Sequence, residues 1–544
     1  MKRQKSNILA AIFIVLLVNQ VHAKDYDTEC QQLYIGEGIA ETDTEYGKVR
    51  GFKLRDIYQF RGIPYGADTG GKNRFMPPQP PEKWDGIRPA VAFGASSPQN
   101  FYDRRPESYS MFVDHWNYDE MNEDCLRLNI WTPSIDDGKK RPVLVWLHGG
   151  GFTQGNGIEQ DGYDGENISR YGDIVFCSIN HRLGAFGFTD LSSVGGEKYA
   201  TSGNVGMLDI VAALKWVKGN IENFGGNPDN VTIMGQSGGG SKVCLLCSMP
   251  KARGLFNKAV ALSGNALRAN SREYSTKLGE TVLDKAGLDK LEIDSLQRLS
   301  TSDFLTLSQK ALSSIRDRES GWRGGYSPVA DGISIPTGIF FSGKNKGMGS
   351  DVPMLLSSTF HEWNPNRDDP QFENLSFTEV SQKLEYEYGD KAKEVVDAYS
   401  KAFPEMRPIE IWSLIASNRI NVVATANAKC NESSPVYMAW FGFESPLFNG
   451  RHRAFHCLDI SFWFLNTDRM VTHTGGGGRP RKLSYKMADS LLAFMKTGNP
   501  NCDSLPEWKE YNPEEGSVMI LNDECRATND PDREARESLT RKQK

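Results

Sequence analysis

The chain has 544 residues, 69 of them acidic and 63 basic, and its formal net charge is −6. This mildly acidic balance argues against a nucleic-acid-binding protein, because phosphate backbones attract basic surfaces. Nine cysteines in a chain of this length do not make a disulfide-rich scaffold, although Cys502 and Cys525 could pair near the C terminus. Length alone suggests two to four domains of roughly 150 residues each.

The first predicted element is a targeting segment at the N terminus. Three basic residues precede an apolar run over residues 8–18, and the small residue Ala23 ends the segment. This pattern predicts a secretory signal peptide over residues 1–23, cleaved after Ala23, and a secreted or periplasmic protein. The apolar run is too short for a membrane span, and no later run reaches about 18 apolar residues, so we expect no stable span.

A glycine-rich turn follows a predicted strand at residues 142–152, which read PVLVWLHGGGF. A buried strand that leads into Gly149, Gly150 and Gly151 presents bare backbone N–H groups at the end of a sheet. Acyl transfer needs such donors to hold the negative oxygen of its tetrahedral intermediate, and H-G-G-G is one known form of this device. The alternative is a tight connecting loop without a catalytic role.

A second glycine-rich turn lies at residues 231–243, VTIMGQSGGGSKV. An apolar strand is followed by the pattern G-x-S-x-G around Ser237 and then by a helical segment. A serine nucleophile stands out of the backbone at a strained turn, so the residues two positions away on each side must lack side chains. Glycine-rich turns around serine also serve as plain connections, so the assignment depends on suitable partners elsewhere in the chain.

The candidate acid follows a third predicted strand. In this type of site the order along the chain is serine, acid, histidine. The segment 353–365, PMLLSSTFHEWNP, predicts an apolar strand whose end delivers Glu362. Asp368 and Asp369 lie beyond the proline in a polar stretch and are expected on a loop surface. Glu362 as an ordinary exposed carboxylate is the alternative.

Three histidines come late enough in the chain to serve as the general base. His456 directly precedes an apolar, aromatic run, AFHCLDISFWF. His452 lies in the charged tract RHR, which predicts a solvated position. His473 precedes four glycines, which predicts a mobile loop.

Several longer segments carry a family resemblance that covers nearly all of the mature chain. The chain resembles the type B carboxylesterases, which include the cholinesterases. The segments that carry the resemblance are FRGIPYG (60–66), NEDCLRLNIWTP (122–133), SINHRLGAFGF (178–188), the block that precedes the serine (203–233) and PVADGISIP (328–336).

The resemblance implies an α/β fold of the α/β-hydrolase type. Its mostly parallel central sheet has helices on both faces, and large insertions cap the active site. Because the candidate residues are spread along the chain, one domain must contain them all, and we place it at residues 24–535. A charged tail follows at 536–544, and the chain is expected to fray from Asp530 onward. The resemblance also implies a structural ion pair between Arg74 and Glu123.

The site residues are carried over from the same resemblance. It makes Ser237 the nucleophile, Glu362 the acid and His456 the general base. The third backbone donor of the family's oxyanion hole is commonly an alanine, and glycine supplies the same N–H group here. The three donors are Gly150, Gly151 and Gly238.

The activity implied is hydrolysis of carboxylic esters through an acyl-enzyme, with a small-molecule ester and water as substrates. No cofactor, metal or obligate protein partner is implied. Cholinesterase-like relatives often have a glutamate where this chain has Gln236, and Trp116 stands one residue nearer the following cysteine than their cation-binding tryptophan. These differences favour uncharged esters of small to medium size.

Three alternatives to this activity remain. They are an amidase or peptidase with the same triad, a cholinesterase-like enzyme, and a non-catalytic adhesion protein of the same family. The last is disfavoured, because the chain keeps the serine, the acid, the histidine and the glycine-rich turn.

Overall fold

The structure is a computed structural model that describes residues 31–100, 110–113, 120–315, 324–341, 343, 351–365 and 367–540. The predicted signal peptide and Trp116 therefore lie outside the described residues. The strands are β1 Leu33–Tyr34, β2 Glu41–Thr44, β3 Gly47–Arg50, β4 Phe52–Leu54, β5 Ile57–Pro64, β6 Ile87–Pro89, β7 Arg127–Thr132, β8 Arg141–Leu147, β9 Val175–Ile179, β10 Gly226–Gln236, β11 Lys258–Leu262, β12 Met354–Thr359, β13 Val436–Phe441, β14 Ser517–Leu521 and β15 Arg526–Asn529.

The helices lie mostly between these strands. They are α1 Ser110–Val113, α2 Glu166–Gly172, α3 Gly184–Phe188, α4 Ser192–Gly195, α5 Val205–Asn220, α6 Gly238–Ser248, α7 Arg272–Lys285, α8 Thr301–Ile315, α9 Phe377–Tyr388, α10 Ala392–Ala402, α11 Pro408–Ile415, α12 Arg419–Lys429, α13 Ile460–Trp463, α14 Val471–Thr474, α15 Gly478–Thr497 and α16 Arg533–Thr540. None of the helices in the described ranges combines the length and the apolar character that a membrane span requires.

One large sheet organises the described part of the chain. Its order is β1-β4-β5-β7-β9-β8-β10-β11-β12-β13-β14-β15, and β2, β3 and β6 form a separate small sheet. The pairs from β9 to β14 are parallel, whereas both ends of the large sheet are antiparallel. The predicted α/β architecture with a mostly parallel central sheet is confirmed.

The central strands are apolar because helices cover both faces of the sheet. Strands β9, β11, β12 and β13 are buried along their whole length. Parallel strands covered on both faces lack the alternation of apolar and polar residues that half-exposed strands show. The strand predicted from the segment 353–365 is β12.

The ion pair predicted for Arg74 and Glu123 is confirmed. The Arg74 guanidinium donates two hydrogen bonds to the carboxylate, and both side chains are buried. The same guanidinium donates to the carbonyls of Leu296 and Leu299, both at 2.9 Å, and so joins the N-terminal region to a later segment. Glu123, a buried carboxylate next to a motif, therefore has a structural role.

The C terminus differs from the sequence-based expectation. The prediction that the chain frays from Asp530 onward is wrong as far as Thr540, because α16 occupies residues 533–540. Its Arg536 pairs with Asp530 and with Asp532, and Asp532 also accepts from Arg419. The charged side chains that suggested a solvated tail form ion pairs with one another instead. Helix α16 therefore extends beyond the domain boundary predicted at residue 535.

The structure has eight free cysteines among the described residues, and Cys502 and Cys525 are both among them. The Cys502 thiol lies 3.3 Å from the Ser504 hydroxyl, and the Cys525 thiol donates to the Asn522 carbonyl at 3.3 Å. The pairing considered from the sequence is therefore not present in this structure.

Candidate active site

The carboxyl ends of β8, β10 and β12 lie at one edge of the central sheet, with β11 between β10 and β12. Strand β8 leads into the glycine run after His148, β10 ends directly before Ser237, and β12 ends three residues before Glu362. These strands are parallel, so their carboxyl ends lie on the same side of the sheet, which is where open α/β sheets bind ligands. The topology thereby brings together residues that are far apart in sequence.

Ser237 occupies a strained turn between β10 and α6. Its backbone has φ 57° and ψ −124°, which a residue with a side chain seldom adopts. The Ser237 N–H donates to the Leu262 carbonyl of β11 at 2.8 Å. A Cβ atom on Gly235 would lie 2.4 Å from the carbonyl carbon of Gly239, so side chains at these positions would push the turn open. The structure thus gives the reason for the two flanking glycines.

The glycine run after β8 lies against the Ser237 turn. Gly150 and Gly151 have φ values of 75° and 62°, in the region that favours glycine. A Cβ atom on Gly238 would lie 2.1 Å from the Gly151 carbonyl oxygen. The two backbones therefore touch, and the three glycines proposed as donors lie in one place.

A buried lysine, which the sequence reasoning did not single out, lies behind this glycine run. The Lys242 ammonium on α6 donates to the His148 carbonyl at 3.0 Å, and its side chain is completely buried. Burial lowers the pKa of Lys242 to about 7. The only sequence signal is a lysine in an otherwise apolar stretch directly after the turn.

Glu362 and His456 meet through a short hydrogen bond. The His456 Nδ1 atom contacts Glu362 Oε2, and Glu362 Oε1 accepts from the Thr359 N–H at 2.9 Å. Burial opposes the charged form of the His456 ring, but the neighbouring Cys457 and Glu362 groups favour that form and raise the pKa of His456 well above its usual value. A buried carboxylate that holds Nδ1 fixes the orientation of the ring and leaves Nε2 as the other nitrogen.

The other two candidate histidines are buried elsewhere, which corrects both expectations. His452 is not solvated, because its ring is buried and packs against Phe448 at 4.8 Å between ring centroids. His473 lies in helix α14 instead of a mobile loop, and its Nε2 atom contacts the Val113 carbonyl at 2.7 Å. Burial lowers the pKa of each to about 4. Of the three, His456 is the one that contacts Glu362.

Gln236 is buried beside the His456 ring. Its Nε2 atom lies 3.3 Å from His456 Nε2 and 3.4 Å from Nδ1, and its Oε1 accepts from the Cys457 thiol at 3.3 Å. Among the described residues, no hydrogen bond joins the Ser237 hydroxyl to His456. Catalytic hydrogen bonds are often loose before substrate binds, so this geometry is compatible with proton transfer in the complex.

Two further residues near the ring were missed by the sequence reasoning. The Trp363 indole stacks on His456 with 4.4 Å between ring centroids and a tilt of 30°. Asp459 is fully buried, and burial together with the nearby Glu362 carboxylate raises its pKa to about 7. The sequence signal that could have identified them is their closeness in the chain to Glu362 and His456.

Comparison with known proteins agrees with this geometry. The model of the carboxylesterase family matches residues 39–539. Para-nitrobenzyl esterase of Bacillus subtilis is 33% identical over 509 residues, which are 91% of this chain and 97% of that protein. Phenmedipham hydrolase of Pseudarthrobacter oxydans is 31% identical and covers 88% of this chain and 94% of its own length.

Solved structures give the same result. A Geobacillus stearothermophilus carboxylesterase superposes with a TM-score of 0.75 at 34% identity, over 92% of this chain and all of that chain. An esterase of Clostridium hathewayi, described as hydrolysing aliphatic aromatic polyesters, gives a TM-score of 0.78 at 30% identity, over 94% of this chain.

The fold and the position of the site define an α/β-hydrolase. The family match extends over most of the sequence and the relatives are similar along nearly their whole length. The chain belongs to the type B carboxylesterase and cholinesterase family and is a carboxylic ester hydrolase.

Proposed function

We propose that the protein is a secreted serine esterase that hydrolyses uncharged carboxylic esters of small to medium size through an acyl-enzyme on Ser237. The observation that carries this proposal is the Glu362–His456 hydrogen bond at the same sheet edge as the strained Ser237 turn. A serine on a strained turn, together with a carboxylate-oriented imidazole, is the set of groups that nucleophilic acyl transfer requires.

The reaction follows from the positions of these groups. His456 takes the proton of the Ser237 hydroxyl as its oxygen attacks the ester carbonyl carbon. Glu362 orients the imidazole and stabilises the imidazolium that forms. His456 then protonates the alcohol as it leaves, and the acyl group stays on Ser237. Water, activated by the same imidazole, releases the acid and restores the serine.

The negative oxygen of each tetrahedral intermediate needs donors near Ser237. The N–H groups of Gly150, Gly151 and Gly238 are proposed for this role, supported by the contact between the two glycine-rich turns. Loss of one such donor typically costs about 10²–10³ in rate. Lys242 supports the same turn from behind through the His148 carbonyl.

Uncharged esters are favoured as substrates, because Gln236 places a neutral carboxamide next to the ring. A carboxylate at this position would attract a cationic alcohol more strongly than the amide does. One relative is named para-nitrobenzyl esterase, and the para-nitrobenzyl group carries no charge. A choline ester should therefore gain little over its neutral carbon isostere in kcat/KM.

Secretion is proposed from the N-terminal segment alone. A basic start, an apolar run and a small residue at position 23 are the features of a cleaved signal peptide. Mass spectrometry of the N terminus of protein exported by its host should find Lys24 as the first residue. An exported protein that keeps residues 1–23 would contradict this part of the proposal.

The decisive experiment labels the nucleophile. An organophosphate should modify Ser237 in the wild type, and S237A should lose both the label and the ester hydrolysis, by about 10⁴-fold or more. S241A is the matched control, since Ser241 lies four residues further along the same turn and helix and should leave the activity in place. Matched ester and amide substrates separate an esterase from an amidase. Normal turnover by S237A would overturn the proposal.

A further inference from the structure

Trp363 is an exposed aromatic residue in contact with the histidine of the site. Its indole lies 4.4 Å from the His456 ring, centroid to centroid, with a tilt of 30° between the planes, yet 56% of the residue is exposed. Burial in a core does not account for a large apolar ring that is more than half exposed. The contact with His456 is therefore the feature to explain.

Side-chain hydrogen bonds of both neighbouring residues anchor the segment that carries the indole. The Glu362 carboxylate accepts from the Thr359 N–H, and the Asn364 side-chain amide donates to the His452 carbonyl at 2.5 Å. The Ser413 hydroxyl also donates to the Asn364 side chain at 3.1 Å. The ring stack therefore depends on an anchored segment and not on a free surface side chain.

We propose that Trp363 is a positioning residue that stabilises the protonated His456 ring during the proposed serine-esterase reaction. The face of an indole attracts a cation more strongly than any other aromatic side chain does. In the form of the enzyme that acts as the base, the imidazole is neutral, and it gains its positive charge when it takes the serine proton. The interaction is therefore stronger in the transition state than in the resting enzyme, which is the condition for accelerating the reaction.

Other charged groups face the same ring and act together with the indole. Glu362 contacts Nδ1 and favours the imidazolium, and Cys457 lies next to the ring on its own segment. Asp459 is buried close by and interacts electrostatically with both His456 and Glu362. These groups stay unchanged when Trp363 is replaced, so the difference between wild type and variant isolates the indole.

The test is a pair of substitutions, W363L and W363F, compared in a pH–rate profile. We expect W363L to lower kcat two- to fivefold with little change in KM, because a partly exposed cation–π contact is lost. Without the indole face the imidazolium is less stable, so the pKa of His456 should fall by about half a unit. NMR of ring-labelled histidine gives this pKa without any turnover. W363F should lie between W363L and the wild type.

Controls make the outcomes distinct. Y386L removes another exposed aromatic ring, on helix α9, and should change neither kcat nor the pKa. An unchanged pKa in W363L overturns the inference, and so does a rise in KM alone, which would assign the indole to substrate contact. If the organophosphate labels Ser237 normally in these variants, the failure concerns Trp363 only. If it fails to label wild-type Ser237, the proposed function itself is wrong.

Discussion

The serine side and the histidine side of the site are built in different ways. On the serine side, backbone meets backbone, since Gly238 leaves no room for a side chain against the Gly151 carbonyl. On the histidine side, side chains meet, because His456 contacts Glu362, Gln236 and Trp363. The first arrangement depends on conformations that only glycine adopts easily, whereas the second depends on charge and ring stacking.

This difference has a consequence for substitution. Backbone contacts leave little space for a larger residue. Substitutions in the glycine-rich turns on the serine side should therefore displace the backbone N–H donors. Side-chain contacts around His456 shift the free energy of one protonation state, so changes there should move a pH profile. The predictions below test this contrast, beginning with the largest effect.

Replacing the histidine itself should have the largest effect. H456Q should lower kcat/KM by about 10⁴-fold or more, because the proposed reaction gives the serine proton to His456. H452Q is the matched control, since His452 is buried nearby, has a lowered pKa of about 4 and does not contact the Glu362 side chain among the described residues. Steady-state kinetics on an aryl ester measures both. Equal losses in the two variants would show that His456 is wrongly assigned as the general base.

G238A should come next, with a loss of about 10²–10³ in kcat/KM. The added Cβ would lie 2.1 Å from the Gly151 oxygen, so one of the two turns must move and take a donor with it. Activity close to the wild type would show that the glycine run moves freely and that the backbone contact does not hold the donors.

K242M should have a smaller effect on the serine side. Losing the bond from the ammonium to the His148 carbonyl should lower kcat roughly tenfold, since a hydrogen bond to a charged group contributes about 1.5–3 kcal/mol. K258M, a second largely buried lysine that donates to Asn230, is the control and should keep its kcat.

Lys242 also predicts how stability depends on pH. Its folded pKa of about 7 lies below the unfolded value near 10.5, so the unfolded chain binds more protons between these values. The contribution of Lys242 to the free energy of unfolding should therefore rise from pH 7 to pH 10. Urea unfolding of wild type and K242M at pH 7 and pH 9 measures it. An identical pH dependence in both proteins would contradict the lowered pKa.

Q236E should change the activity at the optimum pH least of all these variants, but it should clearly shift the pH–rate profile. A carboxylate 3.3 Å from His456 Nε2 favours the imidazolium, so the pKa of His456 rises and more alkaline solution is needed for the neutral base. The acid limb of the pH–rate profile should move upward by about one unit. Q236M, which is neutral, should leave the limb in place. A shift in both variants would mean that packing, not charge, controls the ring.

Much of the architecture could be predicted from the sequence because it is recorded in local patterns. Continuous apolar runs indicated the buried parallel strands, and the two glycine-rich turns marked where β8 and β10 end. These signals are local because backbone conformation and burial on both faces restrict residue type at each position. The Arg74–Glu123 pair came from family resemblance, and the structure bears it out.

The surroundings of His456 were decided by the tertiary structure. The charged tract around His452 and the glycines after His473 suggested solvent, yet both rings are buried. The His473 ring contacts the carbonyl of Val113, which is distant in sequence, whereas His452 packs against Phe448 close by in the chain. The same holds for the C-terminal charges, which pair with one another and with Arg419.

The sequence by itself determined the fold class, the family and the two glycine-rich turns, because these depend on which backbone conformations and which buried strands each residue allows. Only the tertiary structure decided that Lys242 lies behind the glycine run and that Trp363 and Gln236 lie against His456. Burial and electrostatic environment are properties of the groups that surround a side chain, and those groups come from several separate segments of the chain.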